Sequence, residues 1–154
     1  QQGDFQLHTY TDKVTNCVHY ALVKGEIAED EPCVVRVQVL NSLRDVFGPQ
    51  RPGYKNSWSL PDSLAKIAEE GKGVVVIVGQ EFSQADALAQ VSHFPELPPE
   101  ERHSGEMGIV RVVGTGSQIL RDIGVGKMRL LSSPTKFNAI SGFQLEVVEF
   151  IGND

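Results

Sequence analysis

Cysteine is scarce: Cys17 and Cys33 are the only two among 154 residues. That excludes the disulfide framework of a small secreted domain. Both are flanked by apolar residues, Val18 on one side and Val34 and Val35 on the other, and are expected to be small buried hydrophobes in a reducing cytoplasm. Long apolar runs are missing too. The longest, Gly73 to Val78, has the length of a strand and falls far short of the roughly 18 residues of a membrane-spanning helix. No lysine/arginine cluster exceeds two residues, and the net charge is −6. A duplex nucleic-acid binder needs a basic face, so that class is excluded. A few placed arginines and lysines still suffice for a small anionic ligand. No signal peptide is visible, and no initiator methionine precedes Gln1-Gln-Gly. Residues 1–4 are expected to be a linker, a cut point in a longer polypeptide or a cloning remnant, with one domain over 5–154.

Hydrophobic content of 40% and charged content of 22% suit a soluble globular domain. Residues 5–24 alternate in places (Phe5, Leu7, Val18, Tyr20, Leu22) and predict two strands with a turn at Asp12-Lys13 or Thr15-Asn16. The β-branched run 33–40 predicts a third. Phe47 to Gly53 holds two prolines and two glycines and predicts a loop. Pro61 opens the clearest helix, with Ser59 or Leu60 at its boundary, Asp62 at the positive end of the dipole, an apolar stripe of Leu64, Ile67 and Ala68, and Gly71 as its stop. A strand over 74–78 follows. Ala85, Leu88 and Ala89 predict a helix over 81–91. Residues 94–106, with Pro95, Pro98 and Pro99, predict a mobile loop. Residues 107–113 predict a strand or extended segment, and Ser117 to Ile123 a helix closed by Gly124. A strand, a polar loop, a short helix and a last strand complete the chain. Consecutive strands in the first half and alternating elements in the second predict a mixed α+β fold.

Several stretches together resemble the GTP cyclohydrolase II family. His19-Tyr-Ala-Leu-Val-Lys-Gly25 resembles its early strand. Val35-Arg-Val37 corresponds to its Arg-Val pair. Ile67-Ala-Glu-Glu-Gly71 with Val74 to Val78 resembles its central helix and strand, and Gln80-Glu81 begins its Gln-Glu-Gly-Arg motif. Gly116-Ser-Gln-Ile-Leu-Arg-Asp-Ile-Gly-Val125 is close to its Gly-Ala-Gln-Ile-Leu-Arg-Asp-Leu-Gly-Val. No piece alone is diagnostic; their order and spacing carry the resemblance. It implies a mixed sheet with flanking helices, a homodimer, a cytoplasmic location and riboflavin biosynthesis. It also implies fusion behind a 3,4-dihydroxy-2-butanone 4-phosphate synthase domain.

The family's catalytic signature departs. Its Arg-Val is followed by His-Ser-Glu-Cys and later by Cys-x-Cys, three thiolates that hold zinc and leave a position for water. Here Gln38-Val-Leu-Asn41 stands at the first motif and Gly53-Tyr-Lys-Asn-Ser57 at the second. Tyr, Lys and Asn do not replace thiolates, so no zinc cofactor is expected. A zinc site rebuilt from Cys17, His19, His93 or His103 is not expected either, since a lone Cys-x-His is ordinarily core packing. The family's arginine, proposed to attack the α-phosphate, corresponds to Arg111. The aspartate two residues earlier corresponds to Ile109, which cannot take a proton.

The resemblance further implies nucleotide contacts. Gln80 and Glu81 persist, followed by Phe82 and Ser83. Ser132-Ser-Pro-Thr-Lys136 shortens the family's GTP-contacting loop but keeps a hydroxyl and a cation, and Arg36 matches a phosphate-contacting arginine. Loss of metal and base together implies a domain inactive in GTP ring opening, because groups that act as a unit do not compensate for one another. The alternative is a GTP-binding hydrolase, with residual release of pyrophosphate through Arg111. Val39, Leu40, Phe82 and Ile109 stand at polar or catalytic positions, and a pocket filled by apolar side chains is expected there.

Overall fold

The structure is a computed structural model that describes residues 2–41, 43–48, 52, 57–80, 84–94, 105–132 and 144–153, without the side chains of 105–110. Six strands form one sheet. They are β1 (Gln6–Thr11), β2 (Val18–Lys24), β3 (Cys33–Val39), β4 (Gly73–Val78), β5 (Lys127–Leu131) and β6 (Glu146–Ile151). Their order across the sheet is β1-β2-β4-β3-β5-β6. The β1–β2 and β2–β4 pairs are antiparallel, and β4–β3, β3–β5 and β5–β6 are parallel. The mixed α+β architecture expected from the sequence is the one observed.

Every residue of β4 is buried, as is all of β3 up to Val39. Parallel central strands covered on both faces read as continuous β-branched runs for this reason. On one face α1 (Leu60–Glu70) closes a core of Val34, Ile67, Val75, Ile77 and Leu131. On the other, α3 (Gly105–Ile123) closes a larger core that includes Ala21, Val35, Val37, Val76, Val113 and Leu120.

The ends of α1 lie where the sequence puts them. Ser59 is the N-cap, its hydroxyl accepting from the Asp62 N–H at 3.1 Å and donating to the Asp62 carboxylate at 2.6 Å. Gly71 closes the helix in the left-handed conformation at φ 81°. The β1–β2 turn spans both candidate positions, with Asp12 Oδ1 accepting from Val14 and Thr15 N–H and Asn16 at φ 56°.

Several expectations need correction. The extended segment over 107–113 is instead the first part of the 19-residue α3. Its β-branched residues suggest strand, but Val113, Gly116, Ser117 and Leu120 are buried at helical spacing, and tertiary packing overrides local propensity. That helix also takes Gly105 and Glu106 from the expected mobile loop, the rest of which lies outside the described residues beyond Phe94. Leu43–Phe47 forms a π-helical turn, closed by Gly48 N–H donating to Leu43 C=O at 2.8 Å. The proline- and glycine-rich composition after it hid that turn. In α2 (Gln84–His93) the expected stripe is not the buried one: Leu88 and Val91 are exposed and Gln90 is buried. Cys33 is buried as expected, whereas Cys17 is half-exposed beside the β1–β2 turn. The short helix expected near the C-terminus falls outside the described residues.

Candidate functional site

Adjacent parallel strands β3 and β4 lead to helices on opposite faces of the sheet, β3 to α1 on one face and β4, by way of α2, to α3 on the other. The crevice beyond the carboxyl ends of such strands is where α/β sheets hold ligands. Two groups of polar side chains occupy that end, one on each face.

The first group lies on the α1 face and is built around Asp45. Alternation along β3 sends Val34, Arg36 and Gln38 to this face. Arg36 is only 6% exposed. Its guanidinium donates to Gln38 Oε1 at 2.9 Å, Leu131 C=O at 2.8 Å and Trp58 C=O at 3.0 Å. Gln38 Nε2 then donates to Asp45 Oδ2 at 3.1 Å.

The π-turn carries Asp45 back under the end of β3, with its side chain fully enclosed. Its carboxylate also accepts from Asn41 N–H at 2.8 Å, Leu60 N–H at 2.8 Å, and Arg44 Nε and Nη2 at 2.9 and 2.8 Å. Asn41 Oδ1 accepts from Arg44 N–H at 3.0 Å. Burial pushes the Asp45 pKa up, but the Arg44 guanidinium and the two backbone N–H groups outweigh it and hold the carboxyl below its ordinary value. Burial, with the nearby Arg44 charge, lowers the Arg36 pKa to about 10, so it stays a cation at neutral pH.

Gln38 and Asn41 therefore have all their described bonds inside the protein. Both are amides, and neither offers zinc a thiolate or an imidazole. The residues described here do not fit the metal that the family resemblance implies; Tyr54 and Asn56, at the other two ligand positions, lie outside the described residues.

The second group lies on the α3 face. His19 on β2 is 3% exposed. Its Nδ1 accepts from Gly79 N–H at 2.9 Å, which leaves the ring proton on Nε2. Burial lowers the His19 pKa; the Asp12 carboxylate pulls the other way and the Arg111 charge adds a smaller lowering, so the ring stays neutral. A cleft of 470 Å³ opens beside it, between the β1–β2 turn and α3.

Four of the six residues singled out from the sequence are among the described residues, spread over this end of the sheet. Arg36 is buried in the Asp45 network. Ser132 is buried just after β5, next to the Leu131 carbonyl that Arg36 holds. Gln80 is exposed immediately after β4, and Arg111 is exposed on α3. Arg36 and Arg111 thus belong to opposite faces of the sheet. Glu81 and Lys136 lie outside the described residues. Of the expected apolar filling, Val39 is half-buried against the core, but Leu40 is 48% exposed and fills nothing. Phe82 and the Ile109 side chain lie outside the described residues. What fills the α1 side is polar, and Asp45, its centre, was missed by sequence reasoning. Arg44-Asp45 beside a proline-rich stretch reads as a solvated charge pair, with no signal of enclosure.

A six-stranded mixed sheet with this order of motifs defines a cyclohydrolase-like α+β domain. The GTP cyclohydrolase II family model matches residues 1–152, so the chain belongs to that family. It is 46% identical over 150 residues to 3,4-dihydroxy-2-butanone 4-phosphate synthase of Pseudomonas aeruginosa, covering 97% of this chain and 40% of that protein. It is 38% identical over 155 residues to riboflavin biosynthesis protein RibBA of Aquifex aeolicus, covering 96% of this chain and 38% of that protein. A RibBA of Parabacteroides distasonis is 34% identical over 156 residues, covering 97% and 38%. The chain thus spans about two fifths of the length of these curated relatives. No helix among the described residues is long and apolar enough to cross a membrane.

Proposed function

We propose that this domain is a zinc-less cyclohydrolase-like module of a riboflavin-biosynthesis protein, inactive in GTP ring opening. Its role is interaction or regulation beside a butanone-phosphate synthase domain, in a cytoplasmic homodimer. The observation that carries this reading is the inward commitment of Gln38 and Asn41 to Arg36, Arg44 and Asp45. Opening an imidazole ring needs activated water, and a side chain already spent on an internal hydrogen bond provides neither metal nor base. The test measures bound zinc by mass spectrometry together with GTP turnover. Absence of both is expected; one zinc per chain with formation of a pyrimidine product sinks the proposal.

A second reading rests on Arg111, whose exposed guanidinium has no hydrogen-bond or ion-pair partner among the described residues. In that reading Arg111, with Gln80, Glu81, Ser132 and Lys136, holds GTP. Calorimetry with GTP separates the two: heats abolished by Arg111→Ala support it, and no heat at millimolar GTP removes it.

A further inference from the structure

The two edges of the sheet are protected unequally. At the β6 edge Met128 pairs with Val147 and Arg129 with Glu149, so Val148 is left over as a bulge. That strand also carries Glu146 and Glu149. A bulge and charged side chains both discourage another strand from adding there. β1, at the opposite edge, has neither. It pairs with β2 in unbroken register and holds no lysine, arginine, acid or proline. Leu7 on it is 58% exposed.

The turn fixes which main-chain groups of β1 point outward. Asp12 N–H donates to Cys17 C=O at 2.9 Å, which makes those two residues a hydrogen-bonded pair. Such pairs alternate along an antiparallel ladder. Tyr10, His8 and Gln6 therefore bond to β2, and Leu7, Thr9 and Thr11 turn their N–H and C=O groups to the open edge. No strand among the described residues pairs with that side.

These outward groups are self-complementary. A two-fold axis perpendicular to the sheet at Thr9 lays a second β1 antiparallel beside the first. Thr9 then faces Thr9 and Leu7 faces Thr11, and every outward N–H meets an outward C=O. An axis at His8 leaves Thr11 unmatched, and an axis between residues sets opposite faces of the sheet together. On the α3 face His8 comes opposite Tyr10 of the second copy, with no like charges opposed. A head-to-tail contact of β1 with β6 needs the bulged, acidic edge and does not close.

We propose that β1 docks a second copy of this chain, giving a two-fold dimer with one continuous sheet centred on Thr9. The inference rests on the homodimer of the proposed function and names its interface. One strand per copy is a small contact beside the about 1,200–2,000 Å² of a stable complex, so the dimer is expected to dissociate on dilution.

Thr9→Pro tests it directly, by sedimentation velocity of the intact chain across micromolar concentrations. Proline is tolerated where an edge N–H faces outward. The circular dichroism spectrum is therefore expected to stay the same while the dimer weakens roughly tenfold or more, the size of at least one lost hydrogen bond. Thr9→Lys keeps every main-chain group but opposes two ammonium groups across the axis. It is expected to weaken the dimer as well, and more so at low salt. In a Cys17→Ser background, Thr9→Cys is expected to give a disulfide-linked dimer on mild oxidation and Gln6→Cys is not. A dimer that Thr9→Pro and Thr9→Lys leave unchanged, or that Gln6→Cys cross-links and Thr9→Cys does not, overturns this interface and leaves the homodimer standing. A chain that is monomeric at every concentration overturns both.

Discussion

Replacement of Asp45 by asparagine probes the centre of the polar network directly. The native carboxylate accepts five hydrogen bonds, from Gln38, Asn41, Leu60 and twice from Arg44. An asparagine keeps one acceptor oxygen and turns an NH₂ toward groups that are themselves donors. It also removes the charge opposite Arg44, whose side chain is 18% exposed. Breaking one side of a buried ion pair costs about 3–5 kcal/mol, and part of that is retained here because Arg44 still reaches water. A loss of about 3 kcal/mol is therefore expected. A domain of this length has an unfolding entropy of about 0.3 kcal/mol/K, so the Tm falls by roughly 10 °C.

The assay is thermal melting followed by circular dichroism, with a urea titration to confirm an unchanged m-value. The Arg44→Ala, Asp45→Ala and double variants complete a cycle whose coupling energy is expected to exceed about 1 kcal/mol. A Tm for Asp45→Asn within about 2 °C of the parent, under 1 kcal/mol on the same scale, refutes the argument that this carboxylate organises the end of β3.

The depressed Asp45 pKa also sets a pH window. The carboxyl binds protons less readily folded than unfolded, so its contribution is complete above the unfolded value of about 3.9 and disappears as the pH falls through the lower folded value. Asp45→Asn is accordingly expected to flatten the acid limb of the stability profile, as measured by urea unfolding across that range. Burial raises the Cys33 pKa to about 11, so the native protein is expected to react with a thiol reagent at no more than one site, Cys17, and at two once unfolded. Ser59→Ala removes the N-cap of α1 and is expected to lower stability by about 1 kcal/mol in urea unfolding. Chelation with EDTA is expected to leave the Tm unchanged, since Gln38 and Asn41 are held by protein groups; a fall would show a structural metal.

Much of the fold is legible in the chain because its signals are local. Ser59, Pro61 and Gly71 mark α1, and Val74 to Val78 can only be a strand covered on both faces. The length of α3 is not legible, because the residues at its start favour strand by propensity and become helical through packing that sequence spacing alone does not reveal. Gly116 shows the same dependence. A side chain there would come within 2.7 Å of Val37, so the glycine records a close helix–sheet approach rather than a helix end. The site is less legible still. The described candidates from the motifs gather at one end of the sheet, but the partners of Arg36 lie two, 22 and 95 residues away. Those contacts decide whether a retained arginine is free for a ligand, and no short pattern encodes them.

The hydrogen bond between Asn41 Oδ1 and the Arg44 N–H bears on how freely this position can change. A change of Asn41 to cysteine, the first step toward a thiolate at this position, removes that acceptor and loosens the turn that presents Asp45. The intermediate loses stability before it gains any ligand for a metal. Each residue in the network so raises the threshold for altering the next.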